Sequence, residues 1–224
     1  EDGIRDYKVT GVQTCALPIS IVNQDWAVRR GFKPCSTIKL VTAIAGINER
    51  QIAPDGSIIE KPFPMNLDDA LAYSNNTYFQ AVGAGLGNQK MVSYARAMGL
   101  GQPTGINIPG EAAGRVPATN NHPRIYSHGD DFEVTPLQLA VMVSAISNGG
   151  KRVVPRVFKN DDVTGEARPQ SVGGLNFPTS SFRGVIPGMI GAAQYGTARR
   201  GMDPRFEVAG KTGSCIGEIG RAHV

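Results

Sequence analysis

The sequence reads as a mostly helical chain with few strands. Three observations predict it. Two apolar stretches, Ser36–Glu49 and Val134–Gly150, carry helix start signals, and the second a stop signal as well. Strand-like stretches are few, around Val153–Phe158 and Arg205–Ser214. The 224 residues are 41% hydrophobic and 19% charged, a globular composition that fits one large domain or part of one.

Taken in order, "STIKLVTAIAGINE" reads as an apolar helix with Pro34 just before it and Ser36 near its N-terminus. Gln51–Asn66, rich in proline and glycine, reads as a loop. "LDDALAYSNNTYFQAVGAGLG" is a helical region interrupted near Ser74 and closing on Gly85 and Gly87. Gln89–Gly101 is a short amphipathic helix with a glycine stop. Gln102–Phe132 is turn-rich and irregular. In "VTPLQLAVMVSAISNGG", Thr135 is the N-cap and Pro136 the first helical residue, and Asn148-Gly149-Gly150 end the helix. Asp161–Phe177 reads as a surface excursion, "FRGVIPGMIGAAQ" as a helix softened by Pro187, and "RFEVAGKTGS" as a strand.

Composition also excludes some functions. The net charge of +4 comes without any lysine or arginine block, so nucleic acid is not expected as a partner. No apolar run reaches membrane-span length. The cysteines, Cys15, Cys35 and Cys215, form no C-x-x-C, and no H-E-x-x-H or zinc spacing occurs, so neither a cofactor nor a metal is expected. His128, Asp130 and Asp131 could be imagined as metal ligands, but read as a solvated loop.

Three short pieces carry chemistry. Ser36-x-x-Lys39 puts a hydroxyl and an amine on one helical face, where a lysine of depressed pKa can deprotonate the serine. Ser74-x-Asn76 supplies a second hydroxyl and an amide. Lys211-Thr212-Gly213-Ser214 supplies an ammonium, two hydroxyls and a glycine where a ligand can approach the backbone. Singly, each has a blander reading as a helix start, a cap or a turn. "GKTGS" also invites a phosphate-binding loop, but position 205 is Arg205 where that motif needs glycine.

In that order the three motifs resemble those of the penicillin-binding transpeptidase and serine β-lactamase superfamily. Thr104–Pro117 and Val134–Gly150 further resemble signatures of the high-molecular-mass, class B penicillin-binding proteins. The resemblance implies an α/β fold, α+β by layers and β-lactamase/transpeptidase-like: an antiparallel sheet flanked by helices, of which this stretch would carry mostly the helices. It implies a D,D-transpeptidase that cross-links peptidoglycan stem peptides through a serine acyl-enzyme and is acylated by penicillins. Ser36 would be the nucleophile, Lys39 its base, and Ser74 a proton relay. Asn76 would hold the substrate amide and Lys211 supply positive potential. Thr212 and Ser214 would bind the terminal carboxylate beside Gly213, with the Ser36 and Ser214 N–H groups as oxyanion hole. Stem peptides and β-lactams are the expected partners, with a cell-wall synthesis complex possible. The expected location is extracytoplasmic, with the membrane reached only through an N-terminal anchor outside this stretch. A serine β-lactamase or a β-lactam sensor would carry the same motifs. Of the glutamates between the second and third motifs, Glu111, Glu133 and Glu166, none has the E-x-x-L-N context of a class A deacylation base.

Departures from the family pattern are specific. Ser36 and Ser74 stand 38 residues apart, short for the large enzymes. Cys35 replaces a frequent glycine and Cys215 follows Ser214. Some carbapenem-hydrolysing class A β-lactamases have a disulfide at the matching positions, which implies a Cys35–Cys215 bridge here. The ends resemble translated sequencing-library adapter. A back-translation of Ile219–Val224 has a reverse complement that encodes Thr14–Ile19. Residues 1–20 and 218–224 are therefore expected to be artefact, and 21–217 a partial transpeptidase domain. The family strands flanking this stretch fall outside it, so an unpaired edge is expected at Phe206–Ser214.

Overall fold

The computed structural model describes residues 23, 25–156, 171–174, 176–201, 206–216 and 221–223. The segment 1–20 and most of the excursion at 161–177 lie outside them. Helices dominate: α1 Lys39–Asn48, α2 Leu67–Ala72, α3 Asn76–Leu86, α4 Asn88–Ala97, α5 Ile125–His128, α6 Pro136–Ser147, α7 Thr179–Arg183 and α8 Ile186–Gln194. Strands β1 Lys151–Val153 and β2 Ser171–Gly174 pair antiparallel, as do β3 Ser214–Ile216 and β4 Arg221–His223.

α1 is the axis of the core. Leu40, Val41, Ala43, Ile44 and Ala45 are all buried, so this helix buries side chains on nearly every side and must be enclosed. α3, α4, α5 and α7 enclose it, and α2 packs against α8. A single turn of 3₁₀ helix, Cys35–Ile38, leads into α1. Thr42 ties α1 to α5 by donating to the Tyr126 carbonyl at 2.8 Å.

α6 begins as the sequence predicts. Thr135 Oγ1 accepts from the Gln138 N–H at 3.1 Å, and Gln138 Oε1 accepts from the Thr135 N–H at 3.2 Å, a reciprocal capping box with Pro136 at the first position. Gln138 Nε2 also donates to the Gln102 and Ala113 carbonyls, so one buried amide pins the irregular 102–114 segment to the helix. Val134, just before the cap, exchanges two 2.8 Å backbone hydrogen bonds with Phe32. That bridge sets the entry of the chain into the Cys35–Ile38 turn.

Four readings of local structure are corrected. "RFEVAGKTGS" is not a strand along its length: Glu207–Gly213 are irregular, and the strand begins only at Ser214, where β4 supplies a hydrogen-bonding partner, so that residue is not an open edge. The strand expected from Val153 is Lys151–Val153 instead, immediately after the Gly149-Gly150 turn. The helix over Phe182–Gln194 is two helices, with Pro187 in the first turn of α8, where a missing N–H costs nothing. The irregular 102–132 segment contains the one-turn helix α5.

Candidate active site

The nucleophile turn is held from two sides. Thr37 Oγ1 donates back to the Pro34 carbonyl at 2.5 Å, closing the turn around Ser36. The end of α5 presses on it from outside, where Gly129 meets Pro34 and Ile38. Cys35 has φ 51°, a left-handed conformation that is rare for a side-chain-bearing residue, and Ser36 follows it half-buried.

Lys39 is fully buried, at 0% exposure. Its Nζ lies 3.0 Å from Ser36 Oγ, 2.9 Å from both the carbonyl oxygen and Oγ of Ser74, and 2.7 Å from Asn76 Oδ1. An ammonium has three protons for these four oxygens. The neutral amine has two protons and a lone pair, and can accept the Ser36 hydroxyl proton. Burial, with Lys211 adding like-charge repulsion, lowers the Lys39 pKa to about 7.

Ser74 adopts φ 55° between α2 and α3, another strained position, and this kink delivers its hydroxyl inward. The Asn75 side chain caps α3 by accepting from the Tyr78 N–H at 2.9 Å, which starts the helix carrying Asn76. Lys211 Nζ reaches Ser74 Oγ from the opposite side at 2.8 Å and also donates to the Thr212 carbonyl at 3.0 Å. Burial lowers the Lys211 pKa to about 8.

Gly213 explains why the third segment can lie so close. A Cβ built there would stand 3.1 Å from Thr37 Cγ2, the residue after Ser36. Cys35 and Cys215 are joined by a disulfide with their Cα atoms 5.7 Å apart, so Ser36 and Ser214 each flank one end of the same covalent link. Ser214 is exposed at the start of β3. Thr212 Oγ1 contacts Thr197 Oγ1 at 2.6 Å.

All the motif residues singled out in the sequence converge on this one locus. Two of its contributors were missed. Thr197 carries no motif signal beyond a Gly-Thr turn after a helix. α5, with Ser127 Oγ 2.7 Å from His128 Nδ1, sits in a segment too short to show a period. Burial and the cations Arg124 and Lys39 hold the His128 pKa below its usual value. Asp130 is engaged by Lys33 and Arg124 in ion pairs. The Glu111 carboxylate accepts from the N–H and hydroxyl of Thr104 and from the Gly105 N–H, a loop-fixing role.

Comparison with known proteins gives a consistent result. A family model for the penicillin-binding protein transpeptidase domain matches residues 3–216. The chain is 27% identical over 220 residues to penicillin-binding protein PbpB of Mycolicibacterium smegmatis, covering 84% of this chain and 34% of that protein. It is 31% identical over 170 residues to the peptidoglycan D,D-transpeptidase MrdA of Acinetobacter baumannii, covering 67% of this chain and 25% of that one. The chain thus spans between a quarter and about a third of the length of these relatives. Among solved structures, penicillin-binding protein 3 of Mycobacterium tuberculosis complexed with ampicillin is similar at TM-score 0.68 and 26% identity, over 84% of this chain and 49% of that one.

Proposed function

We propose that this chain, which belongs to the penicillin-binding protein transpeptidase family, is the acyl-transfer part of a peptidoglycan D,D-transpeptidase acting outside the cytoplasm. One observation carries the reading: a buried lysine of pKa about 7 touches both Ser36 Oγ and Ser74 Oγ, and a second lysine touches Ser74 from the other side.

The chemistry follows from the donors. Neutral Lys39 takes the proton from Ser36 Oγ as that oxygen attacks the carbonyl between the two terminal residues of a stem peptide. The carbonyl oxygen becomes an oxyanion, stabilised by the N–H groups of Ser36 and Ser214. Collapse breaks the C–N bond, and the leaving amine takes a proton from the Ser74 hydroxyl, which Lys39 reprotonates. The terminal amino acid departs and leaves an ester on Ser36. An amine from a second stem peptide then attacks the ester, loses its proton along the same route, and frees Ser36 with a new amide formed. A β-lactam ring opens by the same attack but keeps its leaving nitrogen tethered, which holds the ester in place. Lys211 favours anionic ligands throughout.

Intact-mass spectrometry of the full chain with benzylpenicillin tests this. A stoichiometric adduct on Ser36, absent in Ser36→Ala, together with release of the terminal amino acid from a stem pentapeptide, is expected. An adduct without that release points to a β-lactam sensor, and no adduct overturns the acyl-transfer reading.

A further inference from the structure

We propose that Thr197 is a specificity-determining residue that forms, with Thr212, a hydroxyl pair binding the carboxylate beside the scissile bond. The inference rests on the acyl-transfer reading above and extends it to a residue outside the three motifs.

The two Oγ1 atoms are 2.6 Å apart. Two hydroxyls carry two protons, and one lies between the oxygens, so the pair has one O–H left to donate. Thr197 is exposed and Thr212 half-buried, so that remaining proton is presented at the surface and not to the core. The neighbouring charge is positive: Lys211 donates to the Thr212 carbonyl at 3.0 Å. A hydroxyl donor beside an ammonium suits a carboxylate.

Thr197 is placed by a different part of the fold from Thr212. Its N–H donates to the Ala72 carbonyl at 3.0 Å, the N–H groups of Tyr195 and Gly196 both donate to the Gly191 carbonyl at 2.9 Å, and that of Ala198 donates to Ala192 at 2.9 Å. A Cβ at Gly196 would lie 2.2 Å from the Ala72 carbonyl oxygen, so only glycine lets this turn close against α2. Thr197 is therefore anchored to α8 and to Ala72 of α2, two residues before Ser74 in the chain, while Thr212 arrives on the segment that leads into β3. The hydroxyl contact registers the carboxylate site against the Ser74 loop before any ligand binds, which is the preorganisation that selective binding needs. The ligand class this selects is an acyl donor with a free carboxylate next to the reacting amide, as against its ester or amide.

The test compares Ser36 acylation by benzylpenicillin and by its methyl ester, using the full chain and intact-mass kinetics. The acid/ester rate ratio is the readout, because a loss of folded protein lowers both rates together and leaves the ratio alone. Thr197→Val is expected to lower the ratio by about tenfold, because the Thr212 hydroxyl keeps its proton but loses the contact that holds it in place for the carboxylate. Thr197→Ser is expected to retain the ratio. Adding Thr212→Val to Thr197→Val is expected to lower it further, since the last hydroxyl donor of the pair is then gone. A ratio unchanged in both Thr197→Val and Thr197→Ala overturns the inference and leaves the acyl-transfer reading standing. Absence of any Ser36 adduct in the unsubstituted chain overturns both.

Discussion

The Nζ atoms of Lys39 and Lys211 converge on one oxygen, Ser74 Oγ, at 2.9 and 2.8 Å. Two ammonium groups sharing one hydroxyl inside a desolvated site repel each other. Desolvation is the larger influence on both, and repulsion by Lys211 lowers Lys39 further. Lys39 is thereby the first of the two to lose its proton, which makes it the base and leaves Lys211 as the cation.

The pH profile of Ser36 acylation should therefore be bell-shaped. The rate rises through about pH 7 as neutral Lys39 is populated. It falls through about pH 8 as Lys211 loses its charge. These are properties of the coupled pair, read as two macroscopic limbs. Lys211→Met removes the like charge, so the Lys39 pKa rises and the ascending limb moves to higher pH. Stopped-flow acylation by a chromogenic β-lactam measures both, and an ascending limb that stays in place in Lys211→Met contradicts the assignment.

Lys39→Met should stabilise the fold while abolishing acylation. The folded pKa of Lys39 is depressed below its unfolded value, so between about pH 7 and the unfolded pKa the unfolded chain binds more protons. Stability accordingly rises with pH across that window, and below about pH 7 the full penalty of burying the charge applies. Methionine removes the penalty but leaves Asn76 Oδ1 and the Ser74 carbonyl without their donor. The net gain is about 1–2 kcal/mol near neutral pH, smaller at higher pH, and thermal melts across the pH range check it.

The sequence made the reacting groups legible because they sit on short signals with strong local causes. Ser36 and Lys39 are three apart on a helix start, the helical region breaks near Ser74, and Thr135 with Pro136 starts a helix. What it hid depends on contacts distant along the chain. Residues 207–213 read as part of a strand from the sequence, but a strand exists only where a second strand supplies hydrogen bonds, and that happens at Ser214. α5 is four residues long, barely one helical turn, so no period can recur in it. Thr197 matters through Thr212, fifteen residues on, and no local pattern records that contact.

Gly129→Ala should impair acylation more than its distance in sequence from the motifs suggests. Gly129 has φ 65°, left-handed, and an added Cβ would lie 2.5 Å from Pro34 Cγ. Either the α5 end or the turn carrying Ser36 must move. A destabilisation of about 1–3 kcal/mol is expected, with acylation of the remaining folded protein slowed several-fold. Denaturant melts paired with active-site titration separate the two effects. An acylation rate per folded molecule equal to that of the unsubstituted chain would show that the turn is held without help from α5.

The Cys35–Cys215 disulfide should couple oxidation state to acylation. It closes a loop with a sequence separation of 180 residues, and it links the residue before Ser36 to the residue after Ser214. Those two serines supply the proposed oxyanion N–H groups, and their relative position depends on β3, whose only strand partner among the described residues is β4. Reduction is expected to lower stability by about 2–4 kcal/mol. It should also slow acylation beyond what the loss of folded protein explains, because β3 is freed from the nucleophile turn. Thiol titration of the denatured, unreduced chain should find one free thiol, Cys15, of the three cysteines; three free thiols would refute the bridge. Cys35→Ser separates the two consequences. If it melts lower but is acylated at the same rate per folded molecule, the bridge serves stability alone. If the rate falls as well, and falls equally after reduction of the unsubstituted chain, the link sets the oxyanion geometry, since nothing else about Ser36, Lys39 or Ser74 has been altered.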